Sequence, residues 1–482
     1  MPRGKIGYKM ALTNHPRPEK EVSPLAFSHH TTQRHHPDQR QKMLETPVQP
    51  LICRLAVPTI ISMLVTSIYN MADTYFVSQI NTSASGAVGV VFSIMSIIQA
   101  AGFTVGVGSG SIAAQLMGHG EQEQADTYAS SGVLAGLIWG LLLAVGGLLW
   151  LEDLVWALGS TLTIYPYALD YARFILLGAP VMVLSFTLNN LMRWQGQANL
   201  SVIGLTIGGV LNIILDPIFI FVLDMGIAGA GAATLVSQCV SLAILASFFL
   251  FKRSTLRVSP ACIARTPRVY LAIFKQGMPS FFRQGVMSLS TMAINFNAKL
   301  YGDAAVAALS IVSKIFMVVN SITIGFGHGF QPVLGYNYGA GRMDRVKEAT
   351  FFSVKTCTII LTVAALLGLI FSGQIIAFFR DDPAVIAIGT RAFRNQCFTM
   401  PGWAVLVFSN MFFQSLGKSF RATLLAVCRQ GLAIPLVFFL SGQFGLDGLV
   451  FNQMSADVLG ILISAGILSH FFLKEFGREA PQ

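Results

Sequence analysis

The chain has 482 residues, 54% of them hydrophobic and only 11% charged, with a mean hydropathy of +0.64 and a formal charge of +10. A soluble domain carries about 25% charged residues, so this composition excludes an ordinary globular protein and reads as a polytopic membrane protein. The basic residues lie in the N-terminal tail and the loops without interleaved aromatics, which points to membrane orientation and away from nucleic acid. Six scattered cysteines (53, 239, 262, 357, 397, 428) show no CxxC or metal spacing, so they read as apolar thiols with no disulfide framework.

Residues 1–42 are polar, rich in Pro, His and Gln, and include the pairs His29-His30 and His35-His36. They contain no apolar run of the kind a secretory signal needs. Their composition predicts disorder through residue 45, with metal binding by the histidine pairs as the lesser alternative. Met43, which opens directly into the first apolar stretch, is a second candidate for the start of translation.

Twelve apolar spans follow, at roughly 51–79, 84–116, 126–150, 164–194, 198–223, 226–251, 268–300, 303–334, 346–371, 384–416, 419–442 and 446–472. The polar stretch 252–267 separates an N-lobe of six spans (46–251) from a C-lobe of six (268–473), and 474–482 form a tail. The lobes repeat. A shift of 221 residues carries Pro58 onto Pro279, Gly106 onto Gly327, Gly118 onto Gly339, Pro180 onto Pro401, Asn189 onto Asn410 and Gly196 onto Gly417. Each lobe has an even number of spans, so the repeats run parallel, related by an axis along the membrane normal. The expected fold is an all-α membrane protein of two six-helix lobes. Arg54, the central loop (Lys252, Arg253, Arg257, Arg265, Arg268), Arg342, Arg345, Lys347, Lys418 and Arg421 fall on one side, which the positive-inside rule makes cytoplasmic together with both termini.

The first span holds Asp73 well inside the apolar stretch, where an ionised carboxylate costs on the order of 2.5–3.5 kcal/mol. A residue so placed either snorkels to an interface or faces a cavity or partner that uses its charge. A second acid, Asp216, lies in the fifth span, with Asn212 one turn before it on the same helix face and Pro217 directly after, where the missing N–H predicts a bend. Asn189 and Asn190 in the fourth span, Thr234 and Gln238 in the sixth, and Thr66 and Tyr69 in the first add amide and hydroxyl groups. Read blandly, such groups are interhelical glue at about 0.6 kcal/mol each. Two acids among oxygen donors favour a site for a proton or a hard monovalent cation such as Na⁺ over a soft metal. Two neighbouring carboxylates also resist double ionisation and titrate as a pair.

The C-lobe does not copy these acids. Asp73 maps onto Ile294, the register slips around Asp216, and the inner polar residues are Arg283, Gln284, Asn295, Lys314, Asn410 and Asp457. Arg283 and Lys314 are expected to have structural roles. The glycine runs GVGSG (106–110) and GFGHG (325–329) follow no strand and lack GK[ST], so they read as close-packing points in the second and eighth spans and not as nucleotide loops. No nucleophile stands beside a base. The chain is not expected to be an enzyme, and an ion gradient is its expected energy source.

LAVPTIISMLVTSIYNMADTYFVSQI around Pro58, the matched Pro180 and Pro401, and GFGHGFQPVLGYNYGAGRMDRV at 325–346 resemble the multidrug and toxic compound extrusion (MATE) family, over about residues 45–472. The N-lobe is similar to that of DinF-like bacterial members. The resemblance implies a cation or proton site at Asp73, Asn189, Asn212, Asp216 and Thr234. It also implies a first helix that bends at Pro58, and a drug cavity for which Tyr69, Gln238, Arg283, Gln284 and Asn410 are nominated. It implies a monomeric antiporter in the cell membrane. Amphipathic, often cationic drugs or dyes would leave by alternating access against H⁺ or Na⁺, with no cofactor beyond the coupling ion. The alternative within the superfamily is a lipid-linked oligosaccharide flippase, which cavity cations such as Arg283 and Lys314 would suit and the N-lobe acids would not.

Overall fold

The structure is a computed structural model that describes residues 37–380 and 382–476. A short helix α1 (Pro37–Glu45) precedes the N-lobe, which comprises α2 (Val48–Ser78), α3 (Thr82–His119), α4 (Gln122–Leu149), the short α5 (Leu151–Ala157), α6 (Tyr165–Leu177), α7 (Ala179–Trp194), α8 (Ala198–Pro217) and α9 (Gly226–Leu250). The C-lobe comprises α10 (Pro267–Lys299), α11 (Asp303–Gly339), α12 (Met343–Phe379), α13 (Pro383–Thr399), α14 (Trp403–Ser415) and α15 (Ser419–Phe476). Among the described residues eight helices are long and apolar enough to cross a membrane, and the pair α6–α7, bent by 50°, makes a ninth. The bend falls between Leu177 and Ala179, and Pro180 sits in the first turn of α7, where its missing N–H breaks no helical bond.

Three further crossings complete the twelve-span, two-lobe fold. α10 is less apolar because it carries Arg268, Lys275, Arg283 and Lys299. α13 and α14 are joined by a 3₁₀ turn at Met400–Gly402 that contains Pro401. α15 is two spans in one helix, interrupted only at Gly445 (φ 60°, ψ −137°), so the loop expected between residues 442 and 446 is a single left-handed residue.

The repeat is realised in contacts as well as in helix bounds. Asn189 donates from Nδ2 to the Ser201 carbonyl at 2.7 Å, and Asn410 donates to the Ala422 carbonyl at 2.6 Å, each pair 221 residues from the other. Across the lobes α2 runs along α11 and, by the same symmetry, α10 along α3. The seam is built on glycine, as suits helices that associate in lipid by close approach. A Cβ at Gly118 would stand 2.2 Å from the Tyr336 carbonyl oxygen, and one at Gly339 would stand 2.0 Å from that of Gln115. The glycine runs do the same: a Cβ on Gly108 would lie 2.1 Å from the Ile273 oxygen.

The N-terminal extension differs from expectation. Residues 37–45, expected to be disordered, form α1 and dock where α3 and α11 end. Arg40 donates to the Met117 and Gly118 carbonyls and Gln39 to that of Gln195, all in the N-lobe. Asn337, Arg342 and Arg345 of the C-lobe donate to the carbonyls of Met43, Leu44 and Thr46. Met43 is fully buried. A polar nonapeptide has no reason to fold alone; hydrogen bonds to both lobes, donated to the N-lobe and accepted from the C-lobe, supply the reason here. The histidine pairs and the rest of the expected extension lie outside the described residues, as does the tail beyond Phe476, up to which α15 remains helical. The linker is likewise more ordered than its composition suggests. Gln195 Oε1 accepts from Thr255 N and Leu256 N, and Asp126 Oδ1 accepts from Arg257 N, stitching the loop to the N-lobe.

Candidate functional site

The polar centre of the N-lobe depends on where α8 sits. Gly208 faces α9, where a Cβ would lie 2.9 Å from that of Ser241, and Gly209 faces α2, where it would lie 3.2 Å from Tyr69 Cδ1. Two adjacent glycines thus let α8 wedge between α2 and α9. One and two turns further along the same face come Asn212 and Asp216, and α2 brings Asp73 one turn beyond Tyr69. On the other side Gly231 of α9 lies against Tyr171 and Phe174, so α6 also comes close and delivers the Tyr171 hydroxyl.

Asp73 is 7% exposed and Asp216 0%. Tyr171 donates to Asp73 Oδ2 at 3.2 Å. Asn212 Nδ2 donates to Asp216 Oδ1 at 3.1 Å and to Thr234 Oγ1 at 3.3 Å. The two carboxylates are near enough to act on each other electrostatically, and both act on Tyr171. The buried oxygens that receive no hydrogen bond from the protein include Asp73 Oδ1, Asp216 Oδ2, Asn212 Oδ1 and, one turn beyond Thr234 on α9, Gln238 Oε1. Idle carboxylate oxygens in an apolar interior are costly. A proton or a small hard cation satisfies them, and the donor set is oxygen throughout. Among the described residues no three His, Cys, Asp or Glu side chains converge as a metal site.

α8 ends at Pro217, directly after Asp216, and passes into one π-helical turn, Ile218–Val222, with Leu223 N bonded to the Ile218 carbonyl at 2.9 Å. Proline removes the bond that would have reached Ile213. α2, by contrast, runs as one helix through Pro58.

The structure brings Asp73, Asn212, Asp216, Thr234 and Tyr69 together, and Gln238 lies one turn beyond Thr234 on α9. Asn189 stands apart in its bonding: its amide clamps the α7–α8 corner, and Asn410, nominated for the cavity, makes the equivalent corner in the C-lobe. Arg283 and Gln284 are half-buried on α10, and Lys314 is exposed on α11. Asp457 is the C-lobe contrast. Its Oδ1 meets Arg429 Nε at 2.5 Å, and its Oδ2 accepts from Thr399 at 3.0 Å and Trp403 at 2.8 Å. That carboxylate carries its own cation.

Two features escaped the sequence reading. Tyr171 passes for an ordinary core aromatic, and only its position within a span beside intramembrane acids could have flagged its hydroxyl. Arg193, 2% exposed near the end of α7, was an intramembrane charge in plain view. Its Nη1 meets His328 Nδ1 of α11 at 2.6 Å across the seam, and its Nη2 donates to Asn190 Oδ1.

The MatE family model matches the chain twice, over residues 58–218 and 279–439, and the two matches begin and end 221 residues apart. The chain is 26% identical over 424 residues to the multidrug export protein MepA of Staphylococcus saprophyticus, covering 87% of this chain and 93% of that protein. It superposes on a solved MOP-superfamily transporter from Pyrococcus furiosus with a TM-score of 0.83 at 25% identity, covering 90% of this chain and 98% of that one. An outward-facing multidrug resistance transporter of the same superfamily gives a TM-score of 0.83 at 25% identity, covering 88% and 95%.

Proposed function

The chain belongs to the MatE family of membrane transporters, and from that premise we propose that it is a multidrug exporter that expels amphipathic, often cationic compounds in exchange for H⁺ or Na⁺. The observation that carries the coupling is the set of idle, buried oxygens on Asp73, Asp216, Asn212 and Gln238, gathered in one lobe only. A cation shared by the two acids pulls α2 and α8 together. A cationic drug in the cavity and a cation at this site then favour different arrangements of the first helix, so each drives out the other. The resemblance of the chain to a multidrug export protein and to an outward-facing transporter supports this reading.

Directionality follows from charge. The end where α3 and α11 terminate carries Arg253, Arg257, Arg342 and Arg345, and we place it with both termini in the cytoplasm. The cross-lobe contacts at this end hold the seam shut, and parting them loads drug from the inside. Both lobes lie in one chain, so a monomer suffices.

Efflux of a cationic dye from vesicles tests the reading when Na⁺ and proton gradients are imposed separately. Export is expected under one of them. Export under neither refutes the exporter, and undiminished export by both Asp73→Asn and Asp216→Asn refutes the site.

A further inference from the structure

The seam between the lobes contains a basic centre that the cation site does not use. Arg193 is 2% exposed, and its guanidinium has no carboxylate partner among the described residues. Its bonds run to Asn190 Oδ1 and His328 Nδ1, while its Nε reaches no acceptor. A guanidinium has only donors, so His328 Nδ1 serves as the acceptor and its ring proton sits on Nε2.

Arg283 is brought to the same level by helix register. Gln414 of α14 donates to Ser280 of α10 at 3.0 Å and accepts from Gln331 of α11 at 3.2 Å. α10 and α11 run in opposite senses. Three residues onward from Ser280 is Arg283, and three residues back from Gln331 is His328, so both lie one turn beyond the Gln414 bridge. Arg283 is close enough to act electrostatically on both Arg193 and His328. The pseudo-two-fold equivalent of Arg193 is Gln414, so the charge belongs to one lobe alone. A buried and a half-buried guanidinium side by side, with no carboxylate partner among the described residues, are expensive unless an anion joins them.

We propose that Arg193 and Arg283 form a receptor for an anionic oxygen group on the transported molecule, a carboxylate above all, and that His328 is its built-in competitor. This deepens the exporter reading and rests on it: the substrates include zwitterionic amphiphiles as well as simple cations. The geometry supplies a release step. Arg193 belongs to the N-lobe and His328 to the C-lobe, so parting the seam takes the neutral acceptor away and leaves the guanidinium open to a carboxylate. Closing the seam returns His328 Nδ1 to Arg193 and displaces the carboxylate towards the opposite side of the membrane.

The test uses the full-length protein in proteoliposomes and two xanthene dyes, one with a free carboxylate and a cationic amine, the other its methyl ester. Wild type is expected to export both. Arg283→Gln, at a half-buried position that leaves packing intact, is expected to lower export of the free acid about tenfold relative to the ester, and Arg193→Gln to do the same. An unchanged acid-to-ester ratio in Arg283→Gln overturns the proposal, and so does a wild type that exports only the ester; in both cases the exporter reading stands. Export of neither dye under either gradient overturns the exporter reading itself. If replacing chloride by gluconate slows both dyes alike and removes the effect of Arg283→Gln, the centre holds an inorganic counter-ion and the proposal falls.

Discussion

Gly339→Ala is expected to prise the seam open at its basic end. A Cβ at Gly339 would stand 2.0 Å from the carbonyl oxygen of Gln115, and the obstructing atom is backbone, held by α3 and unable to rotate away. An ordinary contact needs about 1.5 Å more room than that, which only a shift of α11 against α3 provides. Overpacking of this kind costs about 1–3 kcal/mol. The cost falls on the closed arrangement alone, because parted helices no longer meet there, so the ratio of closed to open protein drops roughly five- to 150-fold. Spin labels at residues 123 and 344, pseudo-equivalent exposed positions at the starts of α4 and α12, report the separation of the lobes in a cysteine-free background. The distance distribution should move to a longer component in Gly339→Ala, with efflux reduced and protein abundance unchanged. Gly118→Ala, whose Cβ would lie 2.2 Å from the Tyr336 oxygen, should shift it in the same direction. Distances and efflux identical to wild type in both variants would refute the seam as the gate.

Other outcomes follow from the side-chain geometry. Tyr171→Phe removes the hydroxyl that donates to Asp73 Oδ2 and stabilises the cation-free carboxylate, so it should tighten cation uptake by roughly tenfold, with no loss of folded protein, as read by cation titration of efflux. Asn189→Ala and Asn410→Ala each remove a second, side-chain donor from a helix carbonyl, so each should lower thermal stability by about 0.5–1.5 kcal/mol. If only Asn189→Ala alters cation affinity, Asn189 is a ligand as well as a clamp. Arg429→Met strands a buried Asp457 and should destabilise the C-lobe by about 3–5 kcal/mol, while the dependence of residual efflux on the cation stays as in wild type. A change in that dependence would move part of the coupling into the C-lobe.

Much of the architecture is legible in the sequence because lipid forces it to be: apolar runs must be long, and helix-breaking residues show as matched prolines and glycines. The 221-residue repeat is also the offset between the two family-model matches and between the Asn189 and Asn410 corners. The repeat also contains a rule that only the contacts make plain. Residues copied in both lobes, such as Asn189 and Asn410 or Gly118 and Gly339, hold the scaffold. The residues proposed for the chemistry are not copied: at the same offset Asp73 meets Ile294 and Arg193 meets Gln414. Asn189 was grouped with the acids although its twin in the C-lobe has no acids beside it. α1 stayed hidden because its order comes from C-lobe donors to its carbonyls and from its own side chains donating to N-lobe carbonyls, and nothing in a polar nonapeptide announces that. Tyr171 and the Arg193–His328 bond were equally hidden, because each depends on which face of a span meets which neighbour, and hydropathy is blind to facing.

Equilibrium cation uptake by the purified protein tests the central claim most directly, with Na⁺ binding and proton release followed in the same calorimetric titration. Wild type is predicted to take up a cation, and the Asp73→Asn, Asp216→Asn double variant to take up none while remaining folded. No uptake by wild type, or uptake undiminished in the double variant, would contradict the account.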